Sequence, residues 1–405
     1  MYGAYESRCN CSKFFISESP LAPKGGWYTY AVREQIIKSL VRDHMPYSRV
    51  KERMRDDFCI DISIGIMWKW FNDEAEQVHF FKEFEQWSTA LFSGVVCIDE
   101  VYEGTWRIFM ATDCISDIPI AFMVAEKADE EALDKFLDTL SGRGIIPEVI
   151  ITDGSPLYKE SLRERWKDVK HQLCIFHVLK GFNKVIVDCV RALKNRISRQ
   201  GNKGRKRKRG RPSKQAQYQR NRNKRKKEEA RFIWKHQYLL VKKKCRWTKE
   251  DKEAFRRLCR IAPTLKHVRD LVEKFHSLFE RGISQQQARY RRTKLLNNPY
   301  SQKLSCFKRI ANMIPKEKFE KMIVFLSYEN LDRTSNHVER TNRRFRMLQK
   351  TRYKRRTVRT IVNALMHEWV YLMKLHPLYG KPLKKLRSCF NVAGISDRAS
   401  VKKVA

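Results

Sequence analysis

The chain has 405 residues, enough for two or three domains. Lys and Arg number 85 against 45 Asp and Glu, a formal net charge of +40. That balance points to a polyanionic partner, because Lys and Arg gain affinity by releasing counterions from phosphates. Nucleic acid leads, and an anionic membrane surface is the runner-up. A bilayer-spanning role is excluded, since the longest clean apolar run, Ile118 to Ala125, is far too short. No secretory h-region opens the sequence. The eleven cysteines are odd in number and scattered, which predicts reduced thiols in an intracellular protein.

Residues 1–28 read as a flexible tail. Its Cys9-Asn10-Cys11 lacks the second pair that a zinc site needs. Residues 29–76 carry helical signals. Val32, Ile36, Ile37, Leu40 and Val41 recur at helix spacing, Ser48 is a candidate cap, and Val50, Met54 and Phe58 follow in steps of four. After a short turn, Ile64, Met67, Trp68 and Phe71 mark a third helix. Three helices with a tight turn before the last fit a helix-turn-helix DNA-binding domain. Ser63 and Lys69 are then candidate DNA contacts, while Trp68 reads as core. A small helical bundle with no DNA role fits the same pattern.

Residues 77–91 read as a helical linker. The α/β part opens at 92 and runs to 183. Val95-Val96-Cys97-Ile98-Asp99-Glu100 and Val149-Ile150-Ile151-Thr152-Asp153-Gly154 are apolar runs that end on carboxylates, the pattern of strands buried on both faces. Between them lie two further strands, Thr105 to Asp113 and Ile118 to Ala125, and a helix from Asp129 to Leu140. A helix over about Pro156 to Trp166 and a fifth strand, His171 to Ile175, follow. Strand, strand, strand, helix, strand, helix, strand is the order of an RNase H-like fold. Asp99 and Asp153 are candidate metal ligands at one sheet edge. Glu100 is predicted to point to the opposite face, Asp113 to stand behind the site, and Asp129 and Asp134 to be solvated helix charges.

With Asp99, Asp153-Gly154 and the run from His171 to His177 in place, the chain resembles the DDE transposases of the Mutator-like kind and their insertion-sequence relatives. Members of that group carry a C-x-x-H motif past the second aspartate, here Cys174 and His177. By itself this pair is too small for a closed zinc site. The resemblance covers about residues 92–375. It implies a long helical insertion before a final glutamate.

That insertion is assigned to residues 184–330. From Arg191 to Lys227 there is no acidic residue, so the segment should be disordered alone. Within it Arg209-Gly210-Arg211-Pro212 looks like a minor-groove hook; a sequence-blind phosphate tether fits equally. Helices are predicted from Thr248 to Arg260, from Pro263 with a core stripe through Phe279, and over Gln285–Leu296, Gln302–Met313 and Lys316–Leu326. Residues 331–375 hold the final helix, and 376–405 a tail. Glu339 is the natural third carboxylate, with Glu329 and Asp332 as nearby rivals and Arg340 and Arg343 as DNA contacts. Asn336 with Glu339 also fits a capping box, which would give the glutamate a purely structural job.

The resemblance implies an enzyme that cuts the ends of a mobile element and joins them to target DNA. Two Mg²⁺ or Mn²⁺ ions on Asp99, Asp153 and Glu339 would serve it. It also implies a cytoplasmic, nucleoid-associated homo-oligomer on double-stranded DNA, without a membrane role. The alternative from another class is a non-catalytic DNA-binding regulator derived from a transposase.

Overall fold

Among the described residues seven strands appear in chain order: β1 Glu6–Arg8, β2 Phe14–Ile16, β3 Val95–Glu103, β4 Trp106–Asp113, β5 Pro119–Ala125, β6 Val149–Thr152 and β7 Lys170–Leu173. With the helices they make a mixed α/β chain. The structure, a computed structural model, describes residues 6–8, 14–16, 20–23, 26–77, 79–158, 161–201, 213–329, 331–350 and 355–381. Cys9-Asn10-Cys11, Arg209 and Arg211 therefore lie outside the described residues. The chain divides into two units, one of residues 1–147, 160–166 and 336–392, the other of 148–159, 167–335 and 393–405.

In the first unit β1 and β2 pair antiparallel. Three helices follow, Tyr30–Val41, Tyr47–Phe58 and Ile64–Ala75. Thr29 and Ser63 cap the first and third, each accepting from the backbone N–H three residues on. Pro46 holds the cap position of the second, so Ser48 falls inside that helix. Ile36, Leu40, Val50, Met54, Met67 and Phe71 form their shared core, joined by Ala364 of the helix Val358–Leu375. Trp68 departs from its expected place in that core: it is 43% exposed, and the Arg359 guanidinium lies 5.7 Å from its ring. The helical period marks a face but does not say where a wide ring at its margin ends up.

β3, β4 and β5 form an antiparallel meander with Asp99 opposite Met110. The helix Glu130–Gly142 buries Leu133, Phe136, Leu137 and Leu140, and Phe136 stacks on Phe109 of β4. Its start is fixed by Asp129, which accepts from Ala132 N–H; Asp129 is thus a cap and not merely a solvated charge. The register also corrects the expectation of wholly reduced thiols. Cys97 on β3 and Cys114 just past β4 are joined in a disulfide, a pairing set by strand register and therefore unreadable from spacing. Asp113 is fully buried and accepts from the backbone N–H groups of Ser93, Ile115 and Ser116. It ties loop to strand from a fully buried position.

The helix Val358–Leu375 buries two titratable neighbours that pull stability in opposite directions. His367 donates to Phe71 O at 2.7 Å, and burial lowers its pKa to about 4. Glu368 has a buried oxygen with no partner. Burial raises its pKa to about 8, against the pull of Arg344 and Arg355. His367 stays neutral in the fold while the unfolded chain protonates it near 6.5, so this term makes stability rise with pH from about 4 to 6.5. Glu368 keeps its proton in the fold while the unfolded chain loses it near 4.5, so this term makes stability fall from about 4.5 to 8. Glu368→Gln is expected to raise the melting temperature at pH 8 and to remove the decline above pH 6.5. A pH series of thermal melts checks it.

In the second unit β6 and β7 pair in parallel, Ile150 opposite His171. β7 ends at Leu173, and Cys174 becomes the N-terminal cap position of a helix, Ile175–Gln200. Cys174 is therefore a helix-start residue and not the strand residue expected. The predicted helix over 156–166 shrinks to a 3-10 turn, Pro156–Tyr158, and a short helix, Ser161–Arg165. The basic segment is helical on both flanks, up to Gln200 and from Lys214 to Lys235. The Lys214–Lys235 helix packs on Ile175–Gln200, buries Ala230 and Ile233, and pairs Glu229 with Arg225 and Lys226. These contacts offset the self-repulsion expected of the isolated segment.

The helix Lys249–Ile261 starts at a Thr248 capping box. Pro263 precedes Thr264–Ser277, whose stripe Leu265, Val268, Leu271, Val272 and Phe275 is buried, with Phe275 stacked on Phe182 at 3.9 Å. Gln285–Leu296 matches its predicted span. The single helix predicted over 302–313 is instead two short ones, Pro299–Gln302 and Phe307–Ala311, separated by turns closed on Ser301 and Leu304 carbonyls. The last becomes Lys316–Met322 and a 3-10 turn, Val324–Ser327. Buried Gln172 of β7 donates to Met322 O and accepts from Phe325 N–H, fastening that end of the insertion to the strand. No helix among the described residues is long and apolar enough to cross a membrane.

Candidate functional site

β3 changes character at Asp99. The four residues before it are buried, whereas Asp99 and Glu100 are half-buried. Their carboxylates offer oxygens within 4.8 Å of each other. Glu100 therefore does not stay on the far face as expected; its longer side chain brings the carboxylate back beside its neighbour's. Asp99 and Glu100, both half-buried, make up an acidic pair with the donor chemistry for a metal ion, and Asp153, also half-buried, belongs to the second unit. Carboxylate oxygens are the ligands that Mg²⁺ and Mn²⁺ prefer. Glu339 is not part of that pair.

Glu339 is held by a different route. The helix Asn336–Gln349 lies on β3 and β4 within the first unit. Asn342, only 1% exposed, donates from Nδ2 to Asp99 Oδ2 at 2.8 Å. Thr341 meets Thr112 of β4, hydroxyl to hydroxyl, at 3.1 Å. Glu339 stands one turn before Asn342, half-buried. Residues three apart on a helix are surface neighbours, with Cβ atoms roughly 5–6 Å apart. The bond from Asn342 therefore brings the Glu339 turn to the strand that carries Asp99. Asn336 is the first helical residue, which moves it off the cap position and removes the capping-box geometry weighed for Glu339.

A second brace sits beside that turn. Asp117 follows β4 with a left-handed backbone, φ 61°, which aspartate tolerates better than most residues. Its Oδ2 accepts from Arg340 Nε at 2.9 Å, and its Oδ1 lies 3.1 Å from His337 Nδ1. Burial works to raise the Asp117 carboxyl, but hydrogen bonds from His337 and Arg340 outweigh it and hold the group below its ordinary value. Arg340, expected to touch DNA, is thus engaged with Asp117, whereas Arg343 is exposed. In the third N-terminal helix the Ser63 hydroxyl is taken up by capping, and Lys69 is exposed.

In the second unit Asp153 follows β6 and accepts from Ser155 N–H at 2.7 Å. Gly154 adopts φ 99°, a turn conformation that a side chain would strain. Cys174 is fully buried and its sulfur accepts from Ser335 N–H and Oγ at 3.3 and 3.2 Å. Burial works to raise its thiol; hydrogen bonds from His177 and Ser335 outweigh that and lower it. This makes Cys174 an anchor for the segment that leads into the final helix. The rivals are engaged elsewhere: Asp332 pairs with Arg281, and the backbone carbonyl of Glu329 accepts from the same guanidinium.

Two of these features escaped the sequence. Glu100 was set aside on strand alternation, and Asn342 carried no signal, because its partner lies 243 residues away. No curated protein matches the chain. The family model described as transposase, of the ISL3 kind of DDE transposases, matches residues 96–361, which takes in β3, β6, the insertion and the helix of Glu339. With about two thirds of its length inside that match, the chain belongs to the DDE transposases of insertion sequences of the ISL3 kind.

Proposed function

We propose that this chain cuts and joins DNA at the ends of its own mobile element, with Asp99, Asp153 and Glu339 as the metal-holding carboxylates. The observation that carries the reading is the hydrogen bond from Asn342 to Asp99, which links the helix of Glu339 to the strand of the first aspartate. The donor set fits: half-buried carboxylates are hard oxygen ligands suited to Mg²⁺ or Mn²⁺. A pair of such ions, when bound, supplies activation of the attacking oxygen and charge stabilisation on the leaving one. The protein's own part is placement. Asp99 and Glu100 bring two carboxylates together midway along β3. Asn342 fixes the orientation of Asp99, and the Asp117 brace steadies the helix turn that presents Glu339.

We read the α/β part as RNase H-like and related to the Mutator-like group, with Cys174 and His177 as its C-x-x-H pair. The N-terminal helices act as a helix-turn-helix, with the helix Ile64–Ala75 toward the major groove and Lys69 near phosphate. Ser63, Arg343 and the arginines at 209 and 211 add to the DNA footprint, and Arg340 reaches it only if it leaves Asp117. The net charge of +40 supports that footprint. The working form is a homo-oligomer that pairs two element ends at the nucleoid. The test is direct. Protein purified with Mg²⁺ or Mn²⁺ should nick duplexes that carry the inverted repeats flanking its reading frame. Glu339→Gln should bind the same duplexes and leave them intact, and unimpaired nicking by that variant would remove Glu339 from the assignment.

A further inference from the structure

The helix Ile64–Ala75 exposes Ile64 (45%) and Trp68 (43%) on one face, one turn apart. Trp68 opens onto a cavity of about 420 Å³, also lined by Tyr47, Phe71, His44, Arg355 and Arg356. That volume lies in the range of small-ligand pockets, roughly 300–1,000 Å³. Its chemistry is specific. Trp68 provides exposed stacking surface, whereas the buried Phe71 ring is covered by the Arg355 guanidinium at 5.4 Å, and the exposed Arg356 provides attraction for phosphate. His44 adds a half-buried imidazole to the wall. The Arg359 guanidinium, ion-paired to Glu76 at 2.6 and 2.9 Å, sits 5.7 Å from the Trp68 ring and helps fix it in place.

An apolar peptide would leave Arg356 unanswered. A free anion would leave the Trp68 ring unused. A nucleobase turned out of a duplex answers both. It offers a flat ring for Trp68 and a backbone phosphate for Arg356. We infer that this cavity receives one base extruded from the DNA bound by the N-terminal helices, with Trp68 as its stacking platform. The inference rests on the DNA-binding part of the reading above and is independent of the metal site.

Extruding a base costs least where it is already mispaired, so a mismatch at the extruded position tightens binding. The probe is a set of duplexes carrying the flanking inverted repeat, fully paired or with a single mismatch moved one step at a time. Anisotropy titrations of the full chain should find one position where a mismatch improves affinity about tenfold, the scale of a base-aromatic stack. Trp68→Ala should lose that gain while binding the paired duplex within about threefold of wild type, because phosphate contacts are untouched. Trp68→Phe, which keeps a ring, should retain most of the gain. A flat mismatch profile, or a gain that survives in Trp68→Ala, would overturn the pocket while leaving DNA binding standing. Failure of the wild type to bind any of the duplexes would overturn the DNA-binding reading and the pocket with it.

Discussion

Asp99→Asn is expected to lower DNA cleavage by more than about a thousandfold while leaving duplex affinity within about twofold. The substitution keeps the shape of the side chain and removes its charge. A metal-held phosphoryl centre draws several kcal/mol of charge stabilisation from its ligands, and each 1.4 kcal/mol or so is tenfold in rate. The amide also sets a donor where Asn342 Nδ2 already donates, so the 2.8 Å contact becomes donor against donor unless one amide turns over. Binding depends on a different part of the surface, dominated by the chain's net charge of +40, and changes little when one charge is lost. Steady-state cleavage of a repeat-bearing duplex, set beside an anisotropy titration of the same duplex, checks both halves. Wild-type cleavage by this variant would show that Asp99 is not a ligand. A parallel loss of binding would instead make Asp99 a fold residue.

What the sequence showed of this molecule follows from how local each signal is. The strand of Asp99 and the stripe from Leu265 to Phe275 were legible because burial on both faces, or along one helical face, writes itself into consecutive residues. The break between Gln302 and Phe307 was not, because apolar residues there kept a helical spacing while the backbone closed turns instead. Trp68 was misplaced for a related reason. Periodicity put it on the core face, but Arg359, far along the chain, is what meets its ring. The disulfide between Cys97 and Cys114 depends on strand register, and the approach of the Glu100 carboxylate to that of Asp99 depends on side-chain torsions. Neither leaves a mark in residue order. The carboxylates themselves could be nominated from apolar runs that stop on an aspartate, although β3 runs on past Asp99 to Glu103, and from a family pattern, whereas the side chain that orients one of them could not.

Asn342 therefore gives the sharper test of how the site is built. It is buried, its Nδ2 holds Asp99 Oδ2, and its Oδ1 is buried with no partner. An unanswered carbonyl oxygen in the interior costs roughly 1–3 kcal/mol, so shape alone does not account for an asparagine here. A leucine of similar volume would pack without that cost. Its value is the fixed amide, which turns Asp99 into one orientation and locks the Glu339 turn to β3. Asn342→Ala is expected to reduce cleavage about 10- to 100-fold, the usual cost of losing a side chain that orients a metal ligand. It should also raise the Mg²⁺ concentration for half-maximal activity by a similar factor, because an unrestrained carboxylate must be ordered each time an ion binds. Asn342→Leu separates the two roles: it restores packing and melting temperature without restoring the metal dependence. Should Asn342→Leu cleave DNA at wild-type Mg²⁺, the amide is only a filler, and the link between Asp99 and the final helix carries no catalytic weight.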